Sequence, residues 1–382
     1  MKKILIISGS YPNYGGQSTT AYNLLKLLKD KNYSAKLVYV NYHKEADVDP
    51  DKTGSSHRIV LKKSFINILY NWYKNNVNVP LGVEGQKVKN YYFFFKLLLR
   101  FKYFQLSKGF RPDLVITNIP SYFWLVQKIF RNRKLLFVIG SSPEMIMLSK
   151  HKVDTTTFLQ DSSVAEKKKI KPNELIFDKT NIVFNSRLTK EVYDKFGIQT
   201  GSSFVQYFNF APYKKEHTTP ITNRTNSMAF VASHFNRTIK NADLAFDIFS
   251  AFPEVGKLAI GKESERFANI PNTAVYELMT QQDIMQHLAD TKVLLITSYF
   301  DSSPSVLSEA ILSGCNVLVS KNVGWHDMLD ERCVVQHYDD VNEWKEKAAY
   351  LMQHKIDYSR FEEVIASSTA SIIANIQSVL DK

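Results

Sequence analysis

Short apolar runs alternate with amphipathic stretches along most of this chain. Residues 3–7 carry the unbroken run Ile4 to Ile7, the length of a buried strand. A polar loop at 8–17 leads into residues 18–30, where Ala21, Leu24, Leu25, Leu27 and Leu28 recur at helical spacing. Residues 35–40 read as the next strand, and strand–helix–strand predicts a parallel sheet. Residues 43–60 are polar and irregular, which predicts an exposed loop. Further strands are expected at 114–117, 135–139, 182–184 and 204–208. Asn185-Ser186 caps a predicted helix at 187–196, and Gly197 stops it. The polar stretch 150–175 is expected on the surface.

Residues 211–226 contain two prolines and lack apolar periodicity, the pattern of an interdomain linker. Alternation then resumes, with strands at 228–231, 257–260, 274–278, 293–296 and 316–319 and helices at 241–249, 283–288 and 306–313. The tail, 361–380, has apolar residues near helical spacing. The predicted fold is α/β, with two doubly wound, Rossmann-like parallel-sheet domains facing across a cleft. The first domain is 1–210, the linker 211–226, the second domain 227–360 and a C-terminal helix 361–382.

A length of 382 residues and 44% hydrophobic content suit two cores and argue against disorder. The two cysteines, Cys315 and Cys333, make neither a disulfide framework nor a metal-ligand spacing. The N-terminal apolar run is shorter than a signal peptide needs, and no stretch reaches the ~20 apolar residues of a membrane span. A cytoplasmic protein is expected, or one held peripherally at the cytoplasmic membrane face. Residues 1–212 carry 33 Lys+Arg against 15 Asp+Glu, a net +18, whereas 213–382 carry 16 against 22, a net −6. The basic half suits nucleic acid, an anionic membrane or a phosphorylated substrate. Residues 63–110 interleave Tyr91, Tyr92, Phe93, Phe94 and Phe95 with Lys87, Lys89, Lys96, Arg100 and Lys102. They fit either core helices with a basic solvent face or a helical pair lying on an anionic membrane.

The densest chemistry lies between 293 and 320, where a strand, a Ser/Pro turn, a helix, Gly314 and another strand follow in order. Ligands bind such units at the carboxyl ends of their strands. Glu309, near the strand-to-helix junction, can accept two hydrogen bonds from a cis-diol. The amides of Ser303, Ser305 and Val306 can face phosphate oxygens, while Pro304 has no N–H. Arg237 and Lys240 follow the strand at 228–231, where they could neutralise a diphosphate. Gly261 ends its strand where a backbone could approach a ligand closely. Taken singly, Asp301 and Glu309 also fit a turn acid and an exposed helix residue, and Arg237 and Lys240 a solvated surface pair.

Together, Asp301 to Ala310, Ser313-Gly314, the strand from Asn316 and Gly324 resemble the donor-site signature of glycosyltransferase family 4, within the GT-B fold. Arg237 and Lys240 are similar to that family's diphosphate-binding pair. Gly261 corresponds to its nucleotide-proximal glycine, residues 273–278 (with Tyr276 and Leu278) to its base-lining segment, and Gly15-Gly16 to its N-terminal Gly-Gly loop. Three positions depart from the pattern. The first acid is Asp301 where Glu is usual. Ser302-Ser303-Pro304 replaces a Gly-Phe-Gly-like segment. Gly140-Ser141-Ser142 stands where a His is common, on the acceptor side.

The resemblance implies a retaining, metal-independent glycosyltransferase that needs no cofactor. A nucleotide-sugar donor would sit in the second domain, and a glycan or lipid-linked acceptor against the first. Glu309 would hold the ribose and Asp301 a donor-sugar hydroxyl, with Arg237 and Lys240 on the departing diphosphate. The alternatives are a non-catalytic GT-B binding or chaperone subunit, a sugar-nucleotide epimerase, and nucleic-acid binding by the basic half. The last lacks a recognition helix or a stacking-sheet signature, so no nucleic-acid partner is expected.

Overall fold

The computed structural model describes residues 1–8, 16–41, 56–60, 110–118, 123–140, 148–167, 177–197, 200–208, 220–277 and 279–382. Gly15, Ser141, Ser142 and Leu278 lie outside these, as do residues 61–109, which hold the aromatic and basic segment.

Among the described residues the strands form two sheets, both wholly parallel. The first holds β1 (Lys3–Ser8), β2 (Ser34–Asn41), β3 (Ser56–Val60), β4 (Leu114–Thr117), β5 (Lys134–Ile139), β6 (Phe177–Phe184) and β7 (Thr200–Val205), in the order β3-β2-β1-β4-β5-β6-β7. The second holds β8 (Asn226–His234), β9 (Lys257–Lys262), β10 (Thr273–Tyr276), β11 (Thr291–Ile296), β12 (Asn316–Ser320) and β13 (Val334–Val335), in the order β10-β9-β8-β11-β12-β13. Strand order reverses between β1 and β4 and again between β8 and β11, so each sheet is doubly wound with a topological switch point. The central strands are apolar almost end to end, as in KILIIS for β1 and NVLVS for β12, because helices cover both faces.

The predicted fold class is therefore the observed one, with local corrections. Residues 56–60 form a strand rather than part of an exposed loop. At the edge of the sheet among the described residues, β3 pairs there with β2 alone, and its polar sequence lacks the apolar signature of a central strand. The seventh strand begins at Thr200 and ends at Val205, earlier than its apolar residues suggest. It too is an edge, and Ser202 Oγ donates to Asn181 Oδ1 of the neighbouring strand at 2.6 Å. Of the stretch read as a linker, 211–219 lie outside the described residues, while Ile221–Asn223 make a single 3-10 turn before β8.

The stretch 150–167 is not the surface segment its polarity suggests. It contains α3 (Thr155–Gln160), following α1 (Gly16–Asp30) and α2 (Phe123–Ile129) in the chain. Phe158 of α3 is fully buried in a cluster with Leu188 and Val192, and that cluster reaches across to Ile239 and Phe300 on the second sheet's side. Burial between domains leaves no periodicity in a short segment, so composition alone misreads it.

The last helix ties the two halves together. Spanning Ser359–Asp381, it puts Phe361 and Ile365 into the core around the second sheet. Ile372, Ile376, Val379 and Leu380 enter the core around the first. The single stripe that these residues form along the helix thus serves two cores in succession.

Candidate functional site

The loops after β8 and β11 meet at the switch point of the second sheet, the usual place for a ligand in an open α/β sheet. After β8, a 3-10 turn at Thr238–Lys240 is followed by Asn241 in a left-handed conformation, φ 47°. Thr297, just past β11, donates its hydroxyl to the carbonyls of Lys240 and Asn241 at 3.1 and 3.0 Å. Tyr338 donates to the Thr297 carbonyl at 2.7 Å and accepts from Asn241 Nδ2 at 2.7 Å. The backbone of Lys240 is therefore held on several sides before its side chain is considered.

That side chain makes an ion pair with Asp301 Oδ2, and both partners are largely covered, with side chains 22% and 14% exposed. Asp301 is pinned in turn, its N–H donating to the Asn322 carbonyl at 3.1 Å and its carbonyl accepting from Gly324 N–H at 2.7 Å. Gly324 permits this approach, since a Cβ there would lie 1.8 Å from the Ser302 carbonyl oxygen and 2.6 Å from Ser186 Oγ. Arg237 is exposed and forms no ion pair with a described residue.

The helix that carries Glu309 starts at Ser305 and ends at Leu312, behind Pro304. Among the described residues no side chain caps its N-terminus, so the first-turn amides, those of Ser305 and Val306 among them, have no capping side chain. Glu309 accepts a hydrogen bond from Gln281 Nε2 at 2.7 Å. Burial pushes the Glu309 carboxyl above its ordinary range, and the Gln281 hydrogen bond opposes that shift. Gln281 opens the helix Gln281–Ala289, whose capping box is Thr280 and Asp283. Sequence reasoning did not single it out, since a glutamine in the first turn of a helix carries no signature of its own.

The remaining predicted residues divide by surroundings. Tyr276, at the end of β10, is 39% exposed, and its ring centroid lies 5.2 Å from that of His287. Gly261 has φ 152°, and a Cβ there would lie 1.8 Å from the Ala232 carbonyl oxygen. The close approach it permits is thus to its neighbouring strand. Gly16 is the first residue of α1, at the amino end of the helix that follows β1. Gly140, at the end of β5, faces the Asp301 loop, and a Cβ there would be 3.1 Å from Asn185 Nδ2 and 3.9 Å from Ser302 Oγ.

Across the cleft the first sheet's strand ends grip this loop. Asn185 Nδ2 donates to Ser302 Oγ at 3.0 Å, and Trp325 Nε1 donates to the Asn185 carbonyl at 2.6 Å. The N–H and hydroxyl of Thr156 both donate to Asn322 Oδ1 at 2.9 Å. Ser302 and Asn322 were also missed, since their partners come from the other domain. Among the described residues no helix is long and apolar enough to cross a membrane.

No protein-family model matches the chain, and no curated protein matches its sequence. Solved structures match its fold over essentially the whole length. Sucrose-phosphate synthase from Thermosynechococcus elongatus superposes with a TM-score of 0.66 at 12% identity, covering 100% of this chain and 96% of that one. The lipopolysaccharide outer core galactosyltransferase WaaB gives 0.63 at 13% identity, covering 98% of this chain and 99% of that one. HepE of Anabaena, in complex with UDP and glucose, gives 0.57 at 15% identity, covering 100% of this chain and 99% of that one. The fold is GT-B.

Proposed function

We propose that this protein is a glycosyltransferase that moves a sugar from a nucleotide-sugar donor to a glycan or lipid-linked acceptor, with retention of anomeric configuration. The observation that carries the reading is the meeting of Lys240, Asp301 and the Glu309 helix at one switch point in a GT-B fold. The structural neighbours support it, since one is a galactosyltransferase and another holds UDP and glucose.

In this reading the Glu309 carboxylate accepts hydrogen bonds from the ribose diol, displacing Gln281. The first-turn amides of the helix and the cations Lys240 and Arg237 receive the diphosphate. As the bond from the anomeric carbon to the diphosphate oxygen breaks, negative charge grows on that oxygen, and fixed cations stabilise it more than they do the bound donor. No cofactor or resident metal has a part in this scheme. Asp301 orients Lys240 and lies within reach of a donor-sugar hydroxyl. The acceptor approaches from the ends of β1, β4 and β5, with Gly140 opposite Ser302. The basic first domain suits an acidic glycan or a lipid diphosphate at the cytoplasmic face of a membrane.

Purified protein incubated with a panel of nucleotide sugars tests the reading through release of nucleoside diphosphate, with Glu309→Ala as control. Binding and release with the matching donor, both lost in the variant, are expected. Failure of the whole panel to bind or to be turned over would sink it. A second reading, a binding subunit without turnover, is favoured by the neutralisation of Lys240 by Asp301, and tight binding without release would select it.

A further inference from the structure

Asn185 stands at the carboxyl end of the first sheet, immediately after β6, and all four of its polar groups are engaged. Its N–H donates to the Ile139 carbonyl at 3.1 Å, which ties it to the end of β5. Its side-chain oxygen accepts from Thr189 Oγ1 at 3.2 Å, in the first turn of the helix Arg187–Lys195. With the oxygen engaged there, the amide nitrogen faces Ser302 and donates to its Oγ at 3.0 Å. Gly140 leaves room for that contact, since a Cβ on it would lie 3.1 Å from the same nitrogen.

The second domain meets Asn185 from two loops that lie side by side, with Asp301 and Val323 as partners in an isolated parallel bridge. Ser302 follows Asp301 directly in the first of these loops. In the second, Trp325 has a left-handed backbone, φ 72°, a conformation that a bulky residue rarely adopts. Its indole is fixed by its surroundings. Nε1 donates to the Asn185 carbonyl at 2.6 Å, and the ring stands edge-on to Tyr207 at 5.1 Å between centroids. Strain of this kind persists where the surroundings over-determine it, and it gathers at functional sites. Here it aims a second-domain side chain at the same first-domain residue that holds Ser302.

By contrast, the side-chain partners of Lys240 and Glu309, which are Asp301 and Gln281, lie in the second domain itself. We propose that Asn185 is a positioning residue for the donor sugar, holding Ser302 and with it the loop that presents Asp301. The sugar is then gripped correctly only when both domains are seated, whereas the nucleotide is held by the second domain. The inference rests on the reading of Asp301 as the sugar-side acid and of Lys240 and Glu309 as the nucleotide grip. A merely structural asparagine would affect nucleotide and sugar alike, through stability.

The experiment compares wild type, Asn185→Ala, Ser302→Ala and the double variant. Calorimetry gives the affinity of each for UDP, GDP and ADP, and steady-state assays give kcat and KM for the nucleotide sugar that wild type turns over. Asn185→Ala is expected to lower kcat by about 10- to 100-fold, the loss that misplacing a reacting group causes. Affinity for the preferred diphosphate should stay within about threefold of wild type, because its own contacts remain. Ser302→Ala should reproduce this split, and the double variant should lose no more than either single one, the non-additivity of coupled groups. Ser302→Ala also carries the test should Asn185→Ala fold poorly, since it leaves the backbone ties of Asn185 in place. Equal losses of diphosphate binding and turnover, an unchanged kcat, or additive losses overturn the positioning role while leaving the donor-site reading intact. If wild type turns over no nucleotide sugar, the transferase reading itself falls, and this inference with it.

Discussion

Lys240 and Asp301, 61 residues apart in the chain, meet as an ion pair between the loops that follow β8 and β11. The contact joins the residue expected to receive phosphate to the acid expected to touch the sugar. Asp301 is one methylene shorter than the glutamate usual in the resemblance, and in this arrangement its carboxylate is engaged by the lysine. In the proposed reading, a bound diphosphate competes with Asp301 for the same ammonium.

Asp301→Asn tests that competition. Removing a negative charge beside an anionic ligand should tighten nucleoside diphosphate binding by about 3- to 10-fold at low salt, with the gain shrinking as salt is raised. Transfer should fall in the same variant, because Lys240 loses its orienting partner. Calorimetry across a salt series, alongside donor turnover, reads both effects. Weaker binding would mean that Asp301 supports the ligand rather than opposing it.

Glu309→Gln should separate stability from binding. Burial raises the Glu309 carboxyl above its ordinary range. Its stabilising contribution is thus complete below the unfolded carboxylate range and is lost as pH rises through the raised folded value. At neutral pH the ionised group is a cost, which the isosteric amide removes while still accepting from Gln281. Tm should rise by about one to two degrees at pH 7.5 and stay unchanged at pH 4. Nucleotide affinity should drop by about 10- to 100-fold, the loss of hydrogen bonds to a charged acceptor. In wild type, binding should weaken on acidification at a higher pH than an ordinary carboxylate would give.

Gly324→Ala should strain the point where the two domains and the Asp301 loop converge. The new methyl would meet both the Ser302 carbonyl oxygen and Ser186 Oγ well inside contact distance. Backbone on one side must move, at a cost of about 1–3 kcal/mol. Because Gly324 N–H donates to the Asp301 carbonyl, nucleotide affinity should fall along with Tm. Denaturant unfolding and calorimetry on the same preparation check the pairing of the two losses.

Asn322→Ala removes the acceptor that serves both the N–H and the hydroxyl of Thr156. Stranding these donors should cost about 1–3 kcal/mol. It should also loosen α3 from the second domain, a change visible in solution scattering as a larger radius of gyration. An unchanged radius with lowered Tm would confine the role of Asn322 to its own loop.

The sequence by itself determined the layers of this protein, because burial on both faces writes a strand as an unbroken apolar run. The runs at 4–7, 135–139, 293–296 and 317–319 are legible for that reason, and their alternation with helices implies two doubly wound sheets. The turn and helix that carry Asp301 and Glu309 were legible between such runs. Only the tertiary structure decided what those residues touch. The ion pair of Lys240 with Asp301, the hydrogen bond from Gln281 to Glu309 and that from Asn185 to Ser302 each join residues tens of positions apart. A polar side chain's partner depends on where separate strand ends converge, and no local periodicity records that convergence. Strand β3 and the buried Phe158 were misread for related reasons: among the described residues one has a single neighbouring strand to demand apolar residues, and the other is buried by a domain distant in sequence.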